Sequence, residues 1–354
     1  MLSIGLLGFI VWAFLVRDGL LAVERPHEIT LLYAGTGLSF QSLDNKVFNP
    51  IEKSEKLPNQ QETSFEGSSE TNTQSPFNFE NLKAHCPRHI KKYDSRFLEW
   101  FVGFTEGGGS FVVNNKTNRV AFCINQKDPK VLYYVRKNLG FGQVKEYGTY
   151  FRYSVTKKEY LHALIRLFAG NLILEKTNSR FAAWVKSYLV YYVTTPDVID
   201  LVLQRPPGLR LSLNTAWLSG FIDAEGCFDG RWRNNKQQTL RLRFSIRQLG
   251  EPAMMTSLKK LAFSAYKSGT GVYWGSITAA ETLQTFTVDT QCNIPLLSSY
   301  LNKFPLRSIK HIAFYKWQKL FNLTLMKSTN TLKLDRLRKS INALSKISKS
   351  TGWR

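Results

Sequence analysis

Hydrophobic positions along this chain repeat. The run Trp100-Phe101-Val102-Gly103-Phe104-Thr105-Glu106-Gly107-Gly108-Gly109-Ser110-Phe111 is matched by Trp217-Leu218-Ser219-Gly220-Phe221-Ile222-Asp223-Ala224-Glu225-Gly226-Cys227-Phe228. Each predicts an apolar helix that ends in acid and glycine and runs into an aromatic. Repetition of this kind fixes architecture ahead of any local reading. Beyond each helix the period changes from helical to alternating. Ala121 to Gln126 and Tyr150 to Val155 alternate as strands, and helix-like Asp128 to Leu139 between them ends at Gly140-Phe141-Gly142. In the second copy Leu240 to Gln248 alternates apolar with basic or polar residues, Glu251 to Phe263 is helix-like, and Gly271 to Ile277 reads as a strand. Each copy closes on a helix, Lys176 to Trp184 and Ile309 to Trp317.

The rest of the pattern sets boundaries. Residues 1–41 form an apolar leader and connector, and 42–92 a polar linker. Its Asn, Gln, Ser, Thr and Glu can bury little, so disorder is expected. The halves then span 93–195 and 214–325. The joint 196–213 holds Arg205-Pro206-Pro207-Gly208, which continues neither helix nor strand. Residues 326–354 are a basic tail in which Leu332, Leu334, Leu337, Ile341 and Leu344 give a loose amphipathic helix.

Charge narrows the partner. A net charge of +22 over 354 residues, with 13% aromatics, fits a polyanion: nucleic acid first, an anionic membrane surface second. Cys86, Cys123, Cys227 and Cys292 form no CxxC pair, so neither a zinc ribbon nor a redox pair is indicated. His85, Cys86 and His89 read as a polar loop beside Pro87 rather than a metal site.

The matched helices carry the candidate chemistry. Gly103 and Gly107 share one helix face, as do Gly220 and Ala224. Small residues at that spacing let two helices approach backbone to backbone. The C-terminal acids Glu106, Asp223 and Glu225 then lie near a pseudo-twofold axis, at the end of the dipole that disfavours negative charge. Either they are solvated helix-end acids, or a hard divalent cation binds there. Duplication in a basic chain favours the cation, which activates water against a phosphodiester.

These two segments resemble the paired signatures of double-motif LAGLIDADG homing endonucleases and the related group I intron maturases. The resemblance runs from about Arg96 to Leu323 and includes Gln126-Lys127-Asp128, Gly140-Phe141-Gly142, Gly170-Asn171-Leu172-Ile173-Leu174 and Pro305-Leu306-Arg307-Ser308-Ile309-Lys310-His311. It implies an α+β fold of two αββαββα halves, related by a pseudo-twofold, whose antiparallel sheets form a DNA-binding saddle. The metal-binding acid of the family maps onto Glu225 in the second copy and onto Gly108, which has no side chain, in the first. Glu106 then matches Asp223 as the other acid of the motif. Gln126, Gln248, Lys176 and Lys310 match the polar and basic residues around the metal. Lys127, Arg152, Arg231, Arg233, Arg241, Arg243 and Arg247 suit a strand face that reads base edges and holds phosphates.

The resemblance implies Mg²⁺ as cofactor, double-stranded DNA as partner, and a monomer with pseudo-dimeric symmetry. Gly108 leaves three outcomes open: a slow endonuclease, a nickase, or a protein that only binds nucleic acid, such as its own group I intron RNA. The leader Met1-Leu2-Ser3-Ile4-Gly5-Leu6-Leu7-Gly8-Phe9-Ile10-Val11-Trp12-Ala13 resembles a transmembrane stretch of mitochondrial cytochrome c oxidase subunit 1. It implies an intron reading frame continuous with that exon, and a mitochondrial protein whose leader meets the inner membrane before processing. A membrane protein is a third reading and rests on Met1 to Val16 alone.

Overall fold

The computed structural model describes residues 20–25, 28–33, 76–83, 87, 89–90, 92–192, 211–233, 239–265, 275–280, 282–289, 293–328 and 330–347. The apolar leader 1–16, the polar run 64–75, the joint 205–208, Cys86, Cys292 and residues 271–274 lie outside them. Two compact units divide the chain, residues 1–71 and 72–354. In the first, β1 (Leu20–Arg25) pairs antiparallel with β2 (Glu28–Tyr33). Among the described residues no helix is long and apolar enough to cross a membrane.

The second unit opens on a single helical turn, α1 (Glu80–Lys83). The linker expected over 42–92 therefore stops short. Phe77, Phe79 and Leu82 are buried, and Asn171 bonds both backbone groups of Asn78. Those three apolar residues in a polar run supply enough burial to order this stretch.

The first half runs α2 (Ser95–Gly108), β3 (Gly109–Asn114), β4 (Arg119–Gln126), α3 (Pro129–Leu139), β5 (Gln143–Tyr147), β6 (Tyr150–Val155), α4 (Lys158–Phe168) and α5 (Glu175–Tyr192). The second repeats it with α6 (Trp217–Glu225), β7 (Gly226–Trp232), β8 (Leu240–Leu249), α7 (Pro252–Ala265), β9 (Ser276–Ala280), β10 (Leu283–Val288), α8 (Ile294–Lys303) and α9 (Lys310–Leu325). Both sheets are antiparallel and identical in order, β3-β4-β6-β5 and β7-β8-β10-β9. Gly109 pairs with Ile124 and Gly226 with Ile246, so Gln126 and Gln248 occupy the same register position. Of the strand expected over 271–277, residues 271–274 lie outside the described residues, and Ser276 and Ile277 open β9 (Ser276–Ala280), paired to β10.

Local chemistry accounts for the boundaries. Asp94 caps α2 through the Arg96 N–H, and Asp128 caps α3 through the Lys130 N–H, ahead of Pro129. Gly140 ends α3 at a φ of 78°, a conformation glycine adopts without strain. Along β7 and β8, Phe228, Leu242, Phe244 and Ile246 are buried under the helices, and Arg231, Arg241 and Arg247 are exposed on the open face.

The basic tail folds back on the second half as α10 (Thr331–Ile347). Leu334 and Ile341 are buried, while Leu332 is 72% exposed. The helix covers the free edge of β7. Asn342 donates through Nδ2 to the Gly230 carbonyl and accepts the Gly230 N–H, each at 3.1 Å, and the Ser345 hydroxyl donates to the Phe228 carbonyl at 2.5 Å. Such a cover closes an edge that would otherwise pair with another chain. Asn342→Ala should lower stability by about 1–3 kcal/mol, since it leaves both groups of a partly buried peptide unsatisfied. Denaturant unfolding measures it.

Candidate active site at the paired motif helices

Helices α2 and α6 cross with their backbones in contact. A Cβ added at Gly103 would fall 1.9 Å from the Trp217 carbonyl oxygen, and one at Gly220 1.8 Å from that of Trp100. A Cβ at Gly107 would lie 2.4 Å from the Ala224 Cβ. Three of the four small positions are thus filled by the opposite helix.

The crossing also brackets two acids. Trp217 Nε1 donates to Glu106 Oε2 at 2.6 Å, and Trp100 Nε1 to Asp223 Oδ2 at 2.9 Å. Each acid is tied to its own half as well: Glu106 accepts the Leu174 N–H, and Asp223 accepts the Arg307 and Ser308 N–H groups and the Ser308 hydroxyl. Both carboxyls are fully buried. Asp223 accepts four bonds and Glu106 two, so both act as fasteners between the helices. The signal lay in the repeat itself: a tryptophan opens both motifs at the same place.

Burial pushes the Glu106 carboxyl up to about 8, against the bonds from Leu174 and Trp217, and raises that of Asp223 as well. A raised carboxyl binds its proton more tightly folded than unfolded. Its contribution is therefore full below about 4.5 and lost as pH rises to about 8. The native chain should lose stability relative to Glu106→Gln across that window, at up to about 1.4 kcal/mol per pH unit. Paired denaturant titrations at several pH values give the slope, and parallel curves would contradict it.

Glu225, at the end of α6, is half-buried and opens into a cavity of about 320 Å³ that it shares with Cys227, Asp229, Arg243, Arg247 and Lys310. Lys310 is buried, and its Nζ donates to the carbonyls of Ile222 at 3.2 Å and Ala224 at 2.8 Å. A cation at those terminal carbonyls offsets the dipole of α6. Burial pushes Lys310 down to about 8, and Asp223 and Glu225 oppose the shift. Burial likewise raises Glu225, with Lys310 opposing.

The first half carries Gly108 where the second carries Glu225. A Cβ on Gly108 would meet Gln126 Nε2 at 3.6 Å and the Ala224 Cβ at 3.8 Å, ordinary contact distances. Gln126 is buried, and its Nε2 has no hydrogen-bond partner. A buried donor without a partner thus lies beside space for a side chain. Gln248 is half-buried opposite Gln284 on β10. Lys176 is exposed, and its backbone N–H donates to Glu251 Oε1. The structure thus brings Lys310 to Glu225 and Gln126 to Gly108, and leaves the Lys176 side chain in solvent.

Several of the basic residues are held by neighbours. Arg243 donates twice to Asp229 Oδ2, at 3.0 and 2.6 Å, and Arg241 bonds Asp289. Arg152 donates to Asn125 Oδ1 and the Tyr150 hydroxyl and lies 4.7 Å from the centre of the Tyr147 ring. Lys127, Arg231, Arg233 and Arg247 are exposed. The orienting residues Asp229, Asn125 and Asp289 were not legible in advance; only the cross-strand register, Asp229 opposite Arg243 and Asn125 opposite Arg152, exposes two of them.

Among the described residues no three His, Cys, Asp or Glu side chains cluster as a closed metal cage. Glu225 with an open cavity suits Mg²⁺, which keeps waters and is held by one or two carboxylates together with substrate phosphates.

Comparison with known proteins agrees with this geometry. The chain is 33% identical over 245 residues to probable intron-encoded endonuclease 4 of Neurospora crassa, a match covering 67% of this chain and 42% of that protein. It is 23% identical over 263 residues to an uncharacterized cox1 intron-2 37.2 kDa protein of Schizosaccharomyces pombe, covering 72% and 74%. The fold is similar to the solved structure of the LAGLIDADG meganuclease I-CpaMI bound to uncleaved DNA. That likeness has a TM-score of 0.57 and 16% identity over 71% of this chain and 99% of that one. The family model described as LAGLIDADG endonuclease matches residues 101–188 and 218–321, more than half of the sequence and both motif helices. The chain belongs to the LAGLIDADG endonuclease family.

Proposed function

We propose that the chain is a divalent-metal-dependent endonuclease that binds double-stranded DNA at its intron's insertion site and cuts through the Glu225 side of its centre. The observation that carries this reading is the cavity in which Glu225, Lys310 and the strand arginines converge, against a first half that offers Gly108 in the same place. Mg²⁺ bound at Glu225 would polarise the scissile phosphate and lower the pKa of a bound water. Around it the chain does the positioning. Lys310, held by the last carbonyls of α6, shares the cavity with the carboxylate, and Asp229 holds Arg243 in a fixed orientation. On the other side Gln126 has no carboxylate to orient. The expected product is a nick in one strand, or two cuts at unequal rates.

The oxidase-like leader and the intron-encoded relatives support a mitochondrial protein acting on the intronless oxidase gene, and the two repeated halves in one chain support action as a monomer. The test uses the chain with Mg²⁺ and a duplex spanning that exon junction, each strand separately labelled. Cutting of one strand well before the other supports the reading. Tight binding with no cutting of either strand rejects it and favours the second reading, a splicing cofactor that grips its intron RNA without need of the missing acid. Affinity should fall steeply with salt, as release of counterions requires.

A further inference from the structure

A second cavity, of about 720 Å³, lies in the first half where α3 ends, β5 begins, β6 ends and α4 begins. It shares no residue with the Glu225 cavity. Arg136, Lys137 and Lys157 line it, and none of its lining residues is acidic. Two of these cations have an ordinary explanation, because Arg136 and Lys137 lie in the last turn of α3 and offset its dipole. Lys157 has the opposite placement. It is the N-cap of α4, where a positive charge is unfavourable, and no side chain caps the helix. Three cations and the positive end of a helix therefore converge on one hollow.

The walls are aromatic. Tyr160 stacks flat on Phe141, with ring centres 4.8 Å apart and planes 6° apart, and the Lys157 ammonium lies 5.6 Å from the Tyr160 ring. Tyr133 is 50% exposed. Cations and an uncapped helix start receive phosphate, and exposed aromatic rings receive an unstacked base. A base inside a duplex is already stacked and offers no free face.

We propose that this cavity binds an unpaired nucleotide of a single-stranded nucleic acid, with its phosphate at Lys157, Arg136 and the start of α4 and its base against Tyr133. None of these residues lines the Glu225 cavity, so the proposal does not depend on the cutting centre.

The experiment measures anisotropy of a labelled oligonucleotide of about ten nucleotides, the size of a single-strand binding site, made as RNA and as DNA of one sequence. The full chain is compared with Arg136→Ala/Lys157→Ala, Tyr133→Ala and Tyr133→Phe. The charge variant should raise Kd at least tenfold and reduce the salt slope by about 1.4. Tyr133→Ala should raise it about five- to hundredfold, and Tyr133→Phe should leave it near native. Loss for RNA alone identifies an RNA ligand through its 2′-hydroxyl, and equal loss for both identifies any single strand. Thermal midpoints should move by no more than a few degrees, and duplex nicking should not change. Unmoved single-strand affinity in both the charge and alanine variants overturns the proposal. So does an equal loss of affinity for duplex DNA, which would assign the cavity to the duplex interface.

Discussion

Glu225→Gln is expected to abolish strand scission, with a rate at least about a hundredfold below native, while duplex affinity stays within about a factor of three. Gln is isosteric but neutral, so it removes the charge that holds the cation and leaves the packing of α6 alone. The strand arginines proposed to hold the duplex keep their partners Asp229 and Asn125, which this change does not touch. The mirror experiment is Gly108→Glu. Most glycine substitutions in these motifs would collide with backbone, but a Cβ at Gly108 meets nothing closer than 3.6 Å, and its nearest neighbour is the unpartnered Gln126 Nε2. The new carboxylate would gain that donor and complete a pair with Glu225. Second-strand cutting should rise about tenfold or more in a strand-resolved assay. If Glu225→Gln cuts as fast as native, the centre lies elsewhere; if Gly108→Glu folds but changes neither strand, the missing acid is not what limits the first half.

Gly220→Ala is expected to cost about 3 kcal/mol or more, and Gly103→Ala about the same. The added carbon would sit within 1.9 Å of a carbonyl oxygen of the facing helix. No side chain can move aside to relieve a clash with backbone, so α2 and α6 would have to separate. Separation stretches the bonds from Trp100 to Asp223 and from Trp217 to Glu106. Both variants should therefore lower the unfolding midpoint and activity together. Gly108→Ala is the control, on the same helix and the same chemical change. It should be neutral or stabilising, because alanine favours a helix over glycine by about 1 kcal/mol.

The architecture was legible because it is repeated. The matched helices, strands β4, β6 and β8, helix α3 with its Asp128 start and Gly140 stop, and the place of Glu225 and Gly108 all follow from comparing one half with the other. What the pattern hid was pairwise. The side chains of Glu106 and Asp223 look like metal ligands until their partners are seen, and those partners are a tryptophan 111 residues away for one and 123 away for the other. Lys176 and Lys310 look equivalent in the sequence, yet one is exposed and the other is buried against the last carbonyls of α6. Helices α4 and α8 went unseen because each follows a short loop and carries no repeated signature. Ordering of the segment around Phe77 and the docking of α10 depend on contacts across the fold, which periodicity does not encode.

The unequal crowding of the motif glycines bears on which positions can change. Gly103, Gly107 and Gly220 are locked in place by the opposite helix, and any side chain there would cost the fold. Position 108 carries no such constraint, and a side chain there would meet only ordinary contacts. The packing of the helix pair therefore leaves this position open to change, while it fixes the three glycines that hold the halves together.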